Sequence, residues 1–341
     1  MRARELGIVL GELEPGPLNT ITDVAGVRVG HVTLIAADDV RTGVTVVVPG
    51  ELPAFAAPSC LNGNGEMTGL EWVRESGLLG SPIGLTNTHS VGAVHEALVA
   101  AAVEGDRSAW SLPVVAETWD GVLNNVNGFH VRPEHAREAL AAAAGGPVAE
   151  GSVGGGTGMI CHGFKGGIGT SSRVADGHTV GVLVQANHGA RRRLEIGGIP
   201  VGRRIGPERI PIPPRAGEEG AGSIIVVVAT DAPLLPHQCE RLARRATLGV
   251  ARTGGAGEDS SGDLMLAFAT GNTGLGERAE PVALSMLPNA QMNLLFYAVI
   301  EATEEAIVNA LLAAETMTGR GGTTVHALDP SMLAVALGLP N

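Results

Sequence analysis

The stretch Ala216-Gly-Glu-Glu-Gly-Ala-Gly222 runs directly into Ser223-Ile-Ile-Val-Val-Val-Ala-Thr230, so an acidic, small-residue segment abuts an unbroken apolar run. A strand with one wet face alternates apolar and polar residues. A continuous run of β-branched residues instead reads as a strand buried on both faces. The junction puts the Ser223 hydroxyl at the first position of that strand. Were the chain cut between Gly222 and Ser223, Ser223 would carry a free α-amine beside its hydroxyl. One residue would then supply a nucleophile and its base.

Working outward, similar short runs recur at residues 43–48, 83–86, 113–116, 179–185 and 264–269. Helical patterns at 91–102, 133–144 and 236–251 lie among them, and the longest covers 290–316. On a 3.6-residue wheel Val299, Ile300, Thr303, Ile307, Leu311 and Ala314 share one face of that last helix. Doubly buried strands with helices outside them predict a layered α/β architecture. No repeat of fixed period is visible. The Gly-, Pro- and Arg-rich residues 196–222 read as an exposed connector, the kind of segment where chains are nicked.

Composition narrows the function classes. Of 341 residues 50 are Gly and only 3% are aromatic, which suits close backbone approach between layers. A net charge of −12 argues against nucleic-acid binding and for a soluble protein. The local basic cluster Arg191-Arg192-Arg193 reads as a solvated turn or a subunit contact. Cys60, Cys161 and Cys239 show no paired spacing, which fits a reducing, cytoplasmic setting without a disulfide framework. The N-terminus does not read as a signal peptide, and no run of 18 apolar residues predicts a membrane span. The sequence lacks HExxH, since His95-Glu96 is followed by Ala-Leu-Val-Ala, and no metal or cofactor is expected.

Several residue groups are candidates for chemistry. Ser260-Ser261-Gly262-Asp263 leads into another apolar strand, so two strands that begin with hydroxyl residues are placed to lie side by side. Asp263, two residues after Ser261, falls on the same strand face. Asn187 closes the apolar run that begins at 179, where its amide is able to stabilise an oxyanion. Glu117 and Trp119 follow the run at 113–116, where a carboxylate suits a substrate ammonium and an indole suits a pocket wall. Each has an ordinary alternative: Ser223 a turn residue, Ser261-Gly262-Asp263 a strand-capping turn, Asn187 an Asx turn, Glu117 and Trp119 plain loop residues. The glycines at 154–158 lack the GxxxxGK[ST] spacing and are expected to make tight turns rather than a nucleotide site.

The order of short motifs resolves the ambiguity. Residues 21–31 (ITDVAGVRVGH), 64–69 (NGEMTG), 86–92 (TNTHSVG), 117–121 (ETWDG), 154–158, 164–170 (FKGGIGT), 185–187 (QAN), 222–231 (GSIIVVVATD) and 304–307 (EEAI) span nearly the whole chain. In this order the chain resembles the DmpA-type family of L-aminopeptidase/D-esterases and β-peptidyl aminopeptidases, which are N-terminal-nucleophile-like hydrolases. The resemblance implies a single four-layer αββα sandwich over residues 1–341, processed into chains 1–222 and 223–341. It implies assembly as a homotetramer of processed heterodimers and a small peptide, amide or ester substrate with a free amino terminus.

By the same resemblance Ser223 is the nucleophile, with autocleavage after Gly222, and Ser261 and Asp263 tune it. Asn187 is the oxyanion donor, and Glu117 and Trp119 bind substrate. Trp119 stands where some members carry Tyr, and Asp263 is one carbon shorter than the Glu of some relatives. Two other readings remain. One is an acyltransferase like the ornithine acetyltransferases, which use Thr as nucleophile. The other is an unprocessed, non-catalytic binding protein of the same fold.

Overall fold

The structure, a computed structural model, describes residues 1–213, 222–276 and 279–339. Two sheets stack face to face. The smaller has the order β1 (Arg28–Ala36), β2 (Val40–Val48), β5 (Ile83–Asn87), β6 (Val114–Thr118), antiparallel except for the β5–β6 pair. The larger has the order β4 (Leu78–Leu79), β3 (Ala54–Gly63), β12 (Gly262–Ala269), β11 (Ser223–Thr230), β10 (His178–Asn187), β9 (Gly167–Ala175). In it only β11 and β12 run parallel. Two hairpins, β7–β8 (Ile160–Cys161, Phe164–Lys165) and β13–β14 (Met317–Thr318, Thr324–Val325), complete the strands.

Helices α2 (Val91–Gly105) and α3 (Pro133–Ala141) cover the smaller sheet, and α5 (Pro236–Arg252) and α6 (Met292–Ala313) cover the larger. Shorter helices are α1 (Leu70–Ser76), α4 (Val201–Arg204) and α7 (Pro330–Leu337).

Strand alternation explains why the apolar runs are continuous. Ile224, Val226 and Val228 face the α5–α6 layer, whereas Ile225, Val227 and Ala229 face the other sheet. On β2, Val44, Val46 and Val48 pack under α2 and α3, while Val47 enters the middle layer. Both faces of the central strands are therefore dry, and the expected αββα sandwich is the observed one.

The predicted helices form at their expected places, α3 and α6 shorter than expected and α2 and α5 running slightly longer. Helix α5 begins at Pro236, whose missing N–H costs nothing at a first helical position. Its Gly249 lets α6 close in, because a Cβ there would lie 2.5 Å from the Thr303 Cβ.

Three expectations need correction. Helix α6 is not one-sided: residues 301–312 are all buried, its polar positions included. It tolerates this because Glu301 and Glu305 meet the fully buried Arg173 of β9 at 3.2 and 2.7 Å, an arrangement no helical wheel reveals. Residues 196–213 are not an exposed connector, since Ile196, Val201, Ile205 and Ile210 enter the core beneath the larger sheet. Residues 214–221 of that expected connector lie outside the described residues. Arg191 is not solvated either. Its guanidinium stacks on the Phe164 ring, 3.3 Å from the centroid, and donates to the carbonyls of His162, Gly163, Ile205 and Ile210. Those carbonyls belong to distant segments, so the charge run Arg191–Arg193 shows nothing of them. Among the described residues no helix is long and apolar enough to cross a membrane.

Candidate active site

Ser223 opens β11 between two strand ends. It is the registered partner of Asn187 on β10 and of Gly262 on β12. Two hydroxyl-led strand starts therefore do lie side by side, as their sequences suggest. The Ser223 hydroxyl is buried, and its Oγ accepts a 3.1 Å hydrogen bond from the Gly262 N–H. Gly222 has φ +142, and a Cβ there would stand 2.2 Å from the Asn187 carbonyl oxygen and 2.9 Å from the His188 Cα. Both neighbours are backbone atoms that cannot yield, so only glycine fits before Ser223.

Asn187 is the last residue of β10 and makes no Asx turn. Its Oδ1 accepts from the Ile160 N–H at 2.8 Å, which fixes the amide's orientation, and its Nδ2 donates to the Trp119 carbonyl at 2.9 Å. The second Nδ2 hydrogen remains for another acceptor. Two residues earlier, Gln185 donates to the Thr86 carbonyl and the Thr118 hydroxyl at 2.9 and 2.8 Å. Together the two amides tie the larger sheet to β5 and to the end of β6, so the site's floor and roof are joined.

Ser261 donates to Asp263 Oδ1 at 2.7 Å, and both are buried. Ladder register puts Gly262 beside Ser223, so this pair flanks the candidate nucleophile along the neighbouring strand. Asp263 is pushed up to about 6, mainly by burial, with the nearby Glu258 adding to the rise and the Ser261 bond opposing it. Asn62 holds the loop before β12 by donating to the Ser261 carbonyl and, at 3.0 Å, to that of Glu258.

Glu117 lies inside β6, buried, rather than in a loop. Its carboxylate accepts from the Glu66 N–H at 3.1 Å and from the Thr88 hydroxyl. Burial nevertheless pushes the carboxyl upward, against those two bonds. A Cβ on Gly65 would lie 3.1 Å from the Gly262 Cα and 3.3 Å from Glu117 Oε1. Only the bare Gly65 backbone therefore separates the carboxylate from the strand start beside Ser223. Trp119 is 40% exposed, its ring lying over Gly121. Beneath it Asp120 accepts from Asn87 and Asn124, and burial lifts it to about 6.

The geometry gathers a hydroxyl, an oriented amide and a buried carboxylate at one end of the inter-sheet layer. That set suits attack on a carbonyl whose substrate carries a positive charge nearby. Three contributors escape a reading of side-chain types. The N–H groups of Gly262 and Ile160 leave no trace in composition. Thr88 does sit in the quoted 86–92 motif, but its partner Glu117 is reached only across the β5–β6 pair. The Gly154–Gly156 turn packs against Thr45, the Leu85 carbonyl and Gly167, and the N–H groups of Gly154 and Gly155 donate to the hydroxyls of Thr33 and Thr45. Cys161, His162 and His188 form the one cluster among the described residues with metal-ligand spacing.

Known proteins resemble the chain over nearly its whole length. The model of peptidase family S58 matches residues 19–325. A β-peptidyl aminopeptidase from Sphingosinicella microcystinivorans is 47% identical over 98% of this chain and 91% of its own. The solved β-aminopeptidase of a Burkholderia species superposes with a TM-score of 0.94 at 53% identity, covering 99% of this chain and 98% of that one. The L-aminopeptidase D-Ala-esterase/amidase from Ochrobactrum anthropi, described as a variant of the Ntn-hydrolase fold, gives 0.91 at 42% identity, covering 99% and 98%.

Proposed function

Because the chain belongs to peptidase family S58 and is a hydrolase of the aminopeptidase kind, we propose that it works through Ser223 as an N-terminal nucleophile that its own chemistry exposes. The observation that carries this reading is the position of Gly222-Ser223 against Asn187 and Gly262. In the precursor, Ser223 Oγ adds to the Gly222 carbonyl carbon, the C–N bond breaks, and the chain is left as an ester. Water then hydrolyses that ester, which yields residues 1–222 with a new carboxylate and 223–341 with a free α-amine.

That amine, with an ordinary pKa of about 7.7–8.0, serves as general base near neutral pH. It takes the Ser223 hydroxyl proton as Oγ attacks a substrate carbonyl and returns it to the leaving group. Water, deprotonated by the same amine, then cleaves the acyl ester, releases the acid and restores the Ser223 hydroxyl. The free Nδ2 hydrogen of Asn187 meets the developing oxyanion, and the Ser261–Asp263 pair tunes the nucleophile. Glu117 holds the substrate's ammonium, and Trp119 walls the pocket. Short peptides, amides and esters with an unblocked amino terminus are the substrates, with β-amino residues the first to try. Assembly of the processed heterodimers into a homotetramer and a cytoplasmic location belong to the same proposal.

Intact mass of the wild type beside Ser223→Ala tests the core of it. Fragments 1–222 and 223–341 in the wild type, with one uncut chain in the variant, are expected. An uncut, hydrolytically active wild type would remove the α-amine from the mechanism.

A further inference from the structure

Behind Asn187 lies a cluster that the hydrolytic chemistry does not use. Cys161, His162 and His188 are all buried, and the Cys161 sulfur and one ring nitrogen of each histidine lie within 4.8 Å of one another. Residues 160–165 form a hairpin whose two-residue turn, His162-Gly163, has φ of +50 and +71, the positive pair of a type I′ turn. This turn carries His162 back over the end of β10, where its backbone N–H donates to the His188 carbonyl at 2.7 Å and its ring meets that of His188 edge to face.

Nδ1 of His162 lies 3.2 Å from the Ala190 carbonyl, which holds the proton on that nitrogen. Its Nε2 lone pair is then buried with no partner among the described residues, a costly arrangement for a core histidine. A backbone carbonyl that fixes one ring nitrogen while the other stays open is the arrangement around metal-bound histidines.

We propose that Cys161, His162 and His188 form a buried three-donor site for a soft monovalent metal ion, Cu(I). The Cys161 sulfur lies 3.8 Å from His188 Nδ1. Metal–sulfur and metal–nitrogen arms of about 2.3 and 2.0 Å span about 3.7 Å at a trigonal angle and about 3.5 Å at a tetrahedral one. The observed spacing is of the size that one shared ion requires, and the three donors gathered here set the coordination at three. Charge selects among ions. Binding replaces the thiol proton, which leaves to solvent, so Cu(I) with one thiolate and two imidazoles is neutral. Zn(II) would leave a net positive charge in an interior that already holds Arg191 and Lys165, both of which donate to carbonyls of the same hairpin region. A soft thiolate donor favours Cu(I) on chemical grounds as well. The ion would join β10 to the β7–β8 hairpin, the two segments that together orient the Asn187 amide.

The test uses the full-length protein with the exposed Cys60 changed to Ser, loaded anaerobically with Cu(I), or with Ag(I) as a redox-inert probe. Loading is done both in solution and during expression, and native mass spectrometry reads the stoichiometry after gel filtration. One ion per chain and a raised Tm are expected. Loss of the ion is expected in Cys161→Ala and in His188→Phe, which keeps the ring packing if the cysteine variant folds poorly. No bound ion after either route, equal binding in His188→Phe, or retention of Zn(II) in preference to Cu(I) would overturn the proposal.

Discussion

Asn187 touches both sides of the Gly222–Ser223 bond. Its backbone is registered opposite Ser223 in the antiparallel ladder, and its carbonyl oxygen sits where a side chain on Gly222 would begin. One residue thus enforces glycine on the acyl side while it orients an amide near the nucleophile. Both roles follow from β10 ending where β11 begins.

Gly222→Ala is accordingly expected to slow scission by at least about 10-fold, because an unfavourable φ alone costs about 1–3 kcal/mol and the backbone clash adds to it. A time course of intact mass checks this. Prompt, complete cleavage of the variant would show that the strand-end geometry does not govern the cut.

Asn187→Asp separates orientation from donation. The carboxylate keeps an acceptor for the Ile160 N–H but loses the donor to the Trp119 carbonyl and has no N–H to offer an oxyanion. Turnover is expected to fall on the order of 10²–10³ with little change in KM. Asn187→Ala should lose as much turnover and also abandons the Ile160 bond that the Asp variant keeps. Near-normal kcat in the Asp variant would dismiss Asn187 as the donor.

Asp263 links activity and stability with opposite signs. Burial raises it from 3.8 to about 6, so the folded protein holds its proton more tightly than the unfolded chain does. Its stabilising contribution is complete below pH 3.8 and is lost as pH rises through about 6. Asp263→Asn should therefore be more stable than wild type at pH 8, by ~1–2 kcal/mol after allowance for solvent near the site, with the gain fading toward pH 4. Activity should move the other way. The wild-type rate should fall first as the α-amine takes its proton below about 7.7–8.0, and more steeply below about 6 as Asp263 takes its own. The variant should keep the first limb, lose the second and lose most of its rate. Denaturant midpoints and pH–rate profiles across this window measure the two effects.

The layers were legible because doubly buried strands write continuous apolar runs, as 224–229 and 264–269 do. The pairing of Ser223 with the 261–263 segment followed from two strands that both start on hydroxyl residues. Less was visible where one side chain answers to distant backbone. Arg191 looks like part of a basic surface run until its four carbonyl partners are known. Glu301 and Glu305 look like a wet helix face until Arg173 of β9 is placed between them. The Cys161–His162–His188 cluster is split between a hairpin turn and a strand end, so no ligand spacing announces it. The ordinary alternatives for Glu117 and Asn187 also fail for tertiary reasons, since burial and cross-sheet bonds decide both.

Glu117 supplies the sharpest discrimination between substrates. Its carboxylate is buried and already bonded to Thr88 and Glu66, yet burial still makes its charge costly. An arriving ammonium relieves that cost, so the attraction should exceed that of an exposed pair. Glu117→Gln preserves shape and an acceptor for the Glu66 N–H while it removes the charge. A charge-assisted hydrogen bond contributes about 1.5–3 kcal/mol, which predicts a loss of about 10- to 150-fold in kcat/KM for substrates with a free amine. Acylation by an N-blocked ester should be slow in both proteins and nearly unchanged by the substitution. Equal losses on blocked and unblocked substrates would mean that Glu117 supports the fold of the site rather than recognising the amine.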